Sequence, residues 1–244
     1  MSAFPDHDTT VPSVLLQDLV DANHILFREG VLDAFGHVSV RSGPDRFLLS
    51  ASVAPAMVRT EDILDFNLDG HCHGDRRRAV YAERFIHAEI YRARPDVQAV
   101  VHSHAPSVLP FSLVGNTRLR PVCHMSGFLR EGAPVFDVRN VAGLTSDMLV
   151  RNRELGADLA RTLGQEAVVL MRGHGSTVVG PSLKVAVYRA IYTEVNARIQ
   201  LDAQRLGAPV YLTVGEAEAT ARANEAQVER PWQLWLARAR RLDL

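Results

Sequence analysis

An almost wholly apolar run, Val97-Gln98-Ala99-Val100-Val101, leads into His102-Ser103-His104-Ala105-Pro106, and this stretch constrains the chain more than any other. It reads as a buried strand ended by a proline. Alternate strand side chains share a face, so His102 and His104 point the same way while Ser103 points the other. Imidazoles at the end of so apolar a run need partners for their nitrogens, and two on one face can grip one metal ion. A third histidine ends a second apolar strand, in Arg172-Gly173-His174-Gly175, where glycines let backbone and ligand approach closely. Three neutral nitrogens with an open fourth position describe a catalytic metal site rather than a closed structural one.

The rest of the chain alternates helices with strands. Leu15, Leu16, Leu19, Ala22 and Ile25 keep helical spacing over 13–28, with Ser13 after Pro12 as the cap and Gly30 as the stop. Strands are expected over 37–41 and 46–49, around the turn Ser42-Gly43-Pro44-Asp45, and over 63–68 before Asp69-Gly70. A helix over 82–93 stops before Pro95 and feeds the His102 strand. A helix over 146–163 feeds the strand over 167–172, the longest helix runs over 182–206 to Gly207, and further helix over 216–241 is interrupted by Pro231. No repeat or linker divides the 244 residues. The chain therefore reads as one α/β domain, 1–244, with a mixed, largely antiparallel central sheet.

Composition narrows the function. A formal net charge of -1 gives no electrostatic footprint for nucleic acid or a membrane surface. Two cysteines, Cys72 and Cys123, suit a reducing cytosol better than a disulfide framework. Residues 1–11 carry acids and no apolar core, unlike a signal peptide, and no run approaches the roughly 18 apolar residues of a membrane helix. A cytoplasmic enzyme for a small molecule is expected.

Other residues compete for the metal. His71-Cys72-His73 has ligand spacing and a thiol, but it follows Leu68-Asp69-Gly70 and precedes Gly74-Asp75-Arg76-Arg77-Arg78, a polar hairpin end where histidines are solvated. His87, within the helix after Glu83, and His124 have no partner visible in the sequence and read as structural. Glu83 itself reads first as an acid in the first turn of a helix, where the dipole favours it. From the residues alone that reading prevails, although its helix runs directly into the His102 strand and a short connection can bring a carboxylate there beside the metal, where it can act as acid/base or ligand.

With Glu83, His102, His104 and His174 in hand, the chain resembles the class II aldolase/adducin family over about Leu15 to Leu206, with 216–241 as a C-terminal helical extension. Members carry a glutamate at the start of a helix, then His-x-His, then a third histidine in a His-Gly pair. The resemblance implies an α/β/α sandwich and one divalent metal per subunit on the three histidines; three-histidine sites accommodate zinc, manganese, iron or cobalt, and zinc or manganese is expected first. It also implies Glu83 as acid/base or fourth ligand, and a homotetramer.

The departures bear on the substrate. Sugar-phosphate members read phosphate with Gly-Asn-x-Ser, Thr-Pro-Thr-Gly and Ser-Ser; here those places hold Gly36-His37-Val38-Ser39, Ser50-Ala51-Ser52-Val53 and Tyr81-Ala82. These variants look instead like the branch that decarboxylates hydroxylated aromatic or ring-cleavage carboxylic acids. Decarboxylation leaves an electron pair that a metal can disperse through an enolate. Glu83, keeping its proton near neutral pH in a pocket of low polarity, is expected to protonate the carbon. His37, Ser39, Arg41, Ser50 and Arg172 are the expected substrate contacts, arginine being suited to a second carboxylate. An aldolase or epimerase acting on a non-phosphorylated sugar or sugar acid is the alternative, and a catalytically dead adducin-like interaction domain a further one.

Overall fold

The computed structural model describes residues 12–73 and 78–240. The expectations for 1–11, 74–77 and Arg241 lie outside the described residues. Helix α1 (Ser13–Arg28) precedes the strands β1 (His37–Gly43), β2 (Arg46–Ser50), β3 (Ile63–Asn67) and β4 (Cys72–His73). Then come α2 (Arg84–Ala93), β5 (Ala99–Ser103), α3 (Leu109–Leu113), β6 (Val135–Phe136), α4 (Arg139–Ala142) and α5 (Arg153–Leu163). The strands β7 (Val168–Met171) and β8 (Gly175–Gly180) are followed by α6 (Leu183–Leu206), α7 (Val214–Glu225) and α8 (Glu229–Arg240).

One sheet holds all eight strands in the order β4-β3-β2-β1-β5-β8-β7-β6. Only β6 and β7 pair in parallel; the sheet is mixed and largely antiparallel, as the sequence predicts. Strand alternation splits the core into two layers. Val38, Val40, Ala99, Val101, Leu170 and Val178 face one way, against α1, α6 and the α8 tryptophans Trp232 and Trp235. Phe47, Leu49, Val100, Val169 and Val179 face the other way, against Ile86 and Ile90 of α2 and Leu155 and Leu159 of α5. The result is the expected α/β/α sandwich, whose paired apolar faces give each helix a stripe to cover.

Several elements and boundaries differ from expectation. Pro12, not Ser13, occupies the cap position of α1, and no side chain caps that end. The helix expected over 146–163 begins only at Arg153, where the Asn152 side chain accepts the Leu155 amide at 2.9 Å. Upstream, Ser146 and Asp147 each bind an amide two residues on, from Met148 and Leu149, and such local bonds compete with the helix. The strands β4, β6 and β8 were not expected. The helical break near the C-terminus falls at 226–228; Pro231 is accommodated in the first turn of α8, where its missing N–H costs nothing.

Helix α6 does more than cover the sheet. Asn196 Oδ1 accepts the Val122 amide (2.9 Å) and its Nδ2 donates to the Arg120 carbonyl (2.8 Å). One turn on, Gln200 Oε1 accepts the Arg120 amide (3.0 Å) and its Nε2 donates to the Arg118 carbonyl (2.8 Å). Two amide side chains thus satisfy the backbone of 118–122 along one edge.

Helices α2 and α5 approach closely in the layer that carries Glu83. A Cβ on Gly156 would lie 2.5 Å from the Phe85 carbonyl oxygen and 3.0 Å from Glu89 Cγ. Gly156→Ala should therefore push α5 off α2 and lower unfolding stability by about 1–3 kcal/mol, as overpacking does, measured by urea denaturation. Wild-type stability would refute this account of the packing.

Candidate active site

The sheet itself assembles the histidines. His102 lies on the Val100 face of β5, wholly buried, and His104 follows just beyond the strand. β5 pairs with β8 so that Ser103 opposes Ser176, which sets His174, one residue before β8, alongside His104. The close approach requires Gly175: a Cβ there would sit 2.0 Å from the Ser103 carbonyl oxygen.

His104 Nε2 is 3.1 Å from His102 Nε2 and 3.1 Å from His174 Nε2. The other ring nitrogens of two of these residues are engaged: His102 Nδ1 donates to the Ser176 carbonyl (3.2 Å) and His174 Nδ1 to the Met148 carbonyl (3.0 Å). Those bonds fix the tautomer that leaves Nε2 as a lone pair. Metal–nitrogen bonds of about 2.0–2.1 Å at angles from about 90° to the tetrahedral value separate donor atoms by about 2.9–3.4 Å. The observed 3.1 Å falls inside that interval. A single hydrogen on His104 Nε2 can satisfy only one of its two neighbours, leaving the other contact lone pair to lone pair, and a divalent cation resolves the conflict. The residues present fit such an ion.

Glu83 closes the fourth side. Its Oε1 accepts the Val150 amide at 2.9 Å, and its Oε2 lies 3.6 Å from His102 Nε2 and 3.5 Å from His174 Nε2. All four ligand atoms fall within 4.8 Å of one another. Burial alone would raise the Glu83 carboxyl, but His174, His102 and the Val150 amide together hold it down to about 2. This corrects the expectation of a Glu83 that keeps its proton near neutral pH: it stands ionised. Burial pushes His102 down to about 3, the neutral form a ligand needs. His174 is raised; burial opposes this, but the Glu83 carboxylate and the Met148 carbonyl outweigh it.

A family model, the class II aldolase and adducin N-terminal domain, matches residues 17–201. The chain belongs to that family. Decarboxylase tropJ of Talaromyces stipitatus is 40% identical over 249 aligned residues, covering 92% of this chain and 93% of its own. The 3,4-dihydroxyphthalate decarboxylase of Arthrobacter keyseri is 32% identical over 200 residues, 76% and 77% of the two chains. Among solved structures, an aldolase II superfamily protein from Pseudomonas syringae superposes with a TM-score of 0.78 at 22% identity, covering 98% of this chain and 96% of that one. With relatives named as decarboxylases, this class II aldolase family member is a carbon–carbon lyase.

The expected substrate contacts separate. His37 stands at the site: its ring centroid is 5.0 Å from that of His102 and 4.5 Å from that of Tyr81. Ser39 is fully buried behind it, and Ser50 is fully buried at the end of β2 beside Tyr81. Arg41 is a correction. Its guanidinium donates to the carbonyls of Val97, Pro44, Tyr91 and Arg94, at the far end of α2, so it cannot clamp a carboxylate at the metal. Arg172 lies close to Asp137, Nε to Oδ1 at 3.0 Å.

Some contributors escaped sequence reading. Val150 and Met148 lie in the stretch expected to be helix; Met148 adopts φ +68, a conformation uncommon outside glycine, and this loop supplies partners to both Glu83 and His174. His87, read as merely structural, belongs to a buried polar chain. His37 Nδ1 lies 2.6 Å from His87 Nε2, His87 Nδ1 lies 2.6 Å from Ser39 Oγ, and Ser39 Oγ lies 2.8 Å from the Tyr91 hydroxyl. A signal was available: Glu83, His87 and Tyr91 recur every four residues on α2, and His37, Ser39 and Arg41 every two on β1. The His71-Cys72-His73 motif sits on the hairpin of β3 and edge strand β4, and no metal cluster includes it among the described residues.

Replacing His102 and His104 together with alanine should abolish stoichiometric divalent metal, whereas the His71→Ala/His73→Ala pair should keep it, as read by elemental analysis of purified protein. The opposite pattern would overturn the assignment.

Proposed function

We propose that the protein is a divalent-metal-dependent decarboxylase of a hydroxylated aromatic mono- or dicarboxylic acid, or of a related keto or hydroxy acid. The 40% identity to decarboxylase tropJ along nearly the whole of both chains carries this reading. The name of the dihydroxyphthalate relative supports the substrate class, and the triangle of Nε2 atoms supports the metal. Zinc or manganese is the ion we assign to His102, His104 and His174, since both accept imidazole and carboxylate donors. We take the enzyme to be a cytoplasmic homotetramer, a reading supported by the family resemblance and the sparse cysteines. None of the described helices is long and apolar enough to cross a membrane.

When bound, the ion supplies Lewis-acid stabilisation of the electron pair released as the bond to CO2 breaks. The chain's own residues handle the proton. Glu83 rests as a carboxylate with Oε1 tied to Val150, leaving Oε2 to accept the proton of a substrate hydroxyl. After CO2 departs, the same Oε2 delivers that proton to the carbon and the product oxygen regains one from water, so one proton is consumed per turnover. Glu83 thus gains its proton within the cycle rather than starting with it. His37 is retained as a substrate contact.

We infer that the substrate carries no phosphate handle. The Tyr81 hydroxyl donates to the Val53 carbonyl at 2.6 Å, joining the two segments where sugar-phosphate members of the family read phosphate. The metal-loaded enzyme should release CO2 from hydroxylated phthalates or benzoates. It should turn over fuculose or ribulose phosphate at a specificity constant far below the roughly 10⁴ M⁻¹s⁻¹ at which ordinary enzymes begin. Efficient sugar-phosphate cleavage without CO2 release would replace this reading by an aldolase.

Glu83→Gln keeps the shape and removes the proton carrier. We expect metal content and fold to persist while kcat falls about 10²- to 10⁴-fold, with little change in KM. Loss of metal along with activity would make Glu83 chiefly a ligand.

A further inference from the structure

The buried chain behind the metal site has a direction. Tyr91, Ser39, His87 and His37 are each less than 5% exposed, so every O–H and N–H among them needs an acceptor. Among the described residues, the Tyr91 hydroxyl meets a donor in the Val100 amide and one group able to accept its proton, Ser39 Oγ at 2.8 Å. Its proton must go there. Ser39 then has its own proton to place, and its remaining partner is His87 Nδ1. A neutral imidazole with Nδ1 accepting carries its proton on Nε2, and His87 Nε2 faces His37 Nδ1. His37 Nδ1 therefore accepts as well. Each ring thus keeps one nitrogen that accepts and one that carries the proton, which is the neutral form.

We propose that the Tyr91–Ser39–His87 relay locks His37 as a neutral imidazole bearing its proton on Nε2, a fixed hydrogen-bond donor for an anionic oxygen of the substrate beside His102. The role toward substrate rests on the decarboxylase reading; the tautomer does not. A neutral imidazole held in one tautomer polarises an oxygen without the cost of burying a second cation next to the metal. His37 is then the residue that meets the substrate, and His87, Ser39 and Tyr91 are positioning residues acting through it. Such a site prefers substrates that place a phenolate or carboxylate oxygen at His37 over those that place a hydrogen-bond donor or a methyl ether there.

Histidine-selective ¹⁵N NMR on the full-length apoprotein tests the lock without substrate or metal. Both His37 and His87, assigned by single His→Gln variants, should appear as the Nε2–H tautomer. A His37 protonated on Nδ1, or a fast-exchanging mixture, would overturn the proposal whatever the enzyme decarboxylates. Ser39→Ala removes the donor to His87 and should convert His87 into a tautomer mixture, and an unchanged His87 spectrum would show that the relay does not set it. In the metal-loaded enzyme, calorimetry with 2,3-dihydroxybenzoate should show binding weakened roughly tenfold by His37→Phe, the scale of one hydrogen bond to a charged group. His37→Asn, which still donates, should restore part of that loss. Equal loss in both variants would reduce His37 to a packing residue, and CO2 release assayed in parallel separates that outcome from failure of the decarboxylase reading.

Discussion

Three imidazole Nε2 atoms crowded round one point, with that of His104 3.1 Å from each of the other two, are the constraint on which the rest of this structure depends. Unassisted they repel, so the protein must force the convergence, and it does so with backbone. The Ser176 and Met148 carbonyls hold two of the rings by their far nitrogens, the β5–β8 ladder sets the spacing between the two histidine-bearing segments, and Gly175 removes the one side chain that would hold them apart. Two apolar layers then bury the arrangement on both faces of the sheet. The stability of those layers, supplied far from the chemistry, sustains a geometry that is locally unfavourable without its cation.

The second polar investment lies between β1 and α2. A strand advances about 6.6 Å in two residues and a helix about 6 Å in four, so side chains two apart on β1 meet side chains four apart on α2. His37 and Ser39 thus face His87 and Tyr91 in step. Every polar group in this seam reaches another within the seam, which makes a polar line through an apolar layer tolerable. The same helix stripe begins at Glu83, so one periodic pattern on α2 carries both the carboxylate at the metal and the line of partners behind it.

Much of this was legible in the sequence for a physical reason. The apolar strand ends, the helix of Glu83 and the glycines around His174 are local patterns, and local patterns survive translation into structure. The sheet class followed from the turns between short strands. What was not legible depended on competition between distant groups. Ser146 and Asp147 look like the start of a helix until their side chains bind amides two residues on. Strand β8 hid because Ser176 and Thr177, polar yet fully buried, interrupt the apolar signal of a central strand. Arg41 resembled a carboxylate clamp, but carbonyls at the end of α2 claim it, and no one-dimensional pattern reports that.

The amide pairs of Asn196 and Gln200 use the same coincidence of spacings in the opposite sense, with a helix offering side chains to a bare extended segment as though it were the neighbouring strand of a sheet. The segment 118–122 is thereby threaded past α6 at a fixed phase: amides and carbonyls must arrive in alternation, two residues for each helical turn. An insertion or deletion of a single residue between Arg118 and Val122 would turn the facing N–H and C=O groups away from one of the two amide side chains, whereas the same change in the exposed stretch at Gly115 and Asn116 would meet no such template. Length variation in this crossing is thus confined to its entrance, and homologues that differ there should differ before Arg118 and keep the spacing from Arg118 to Val122.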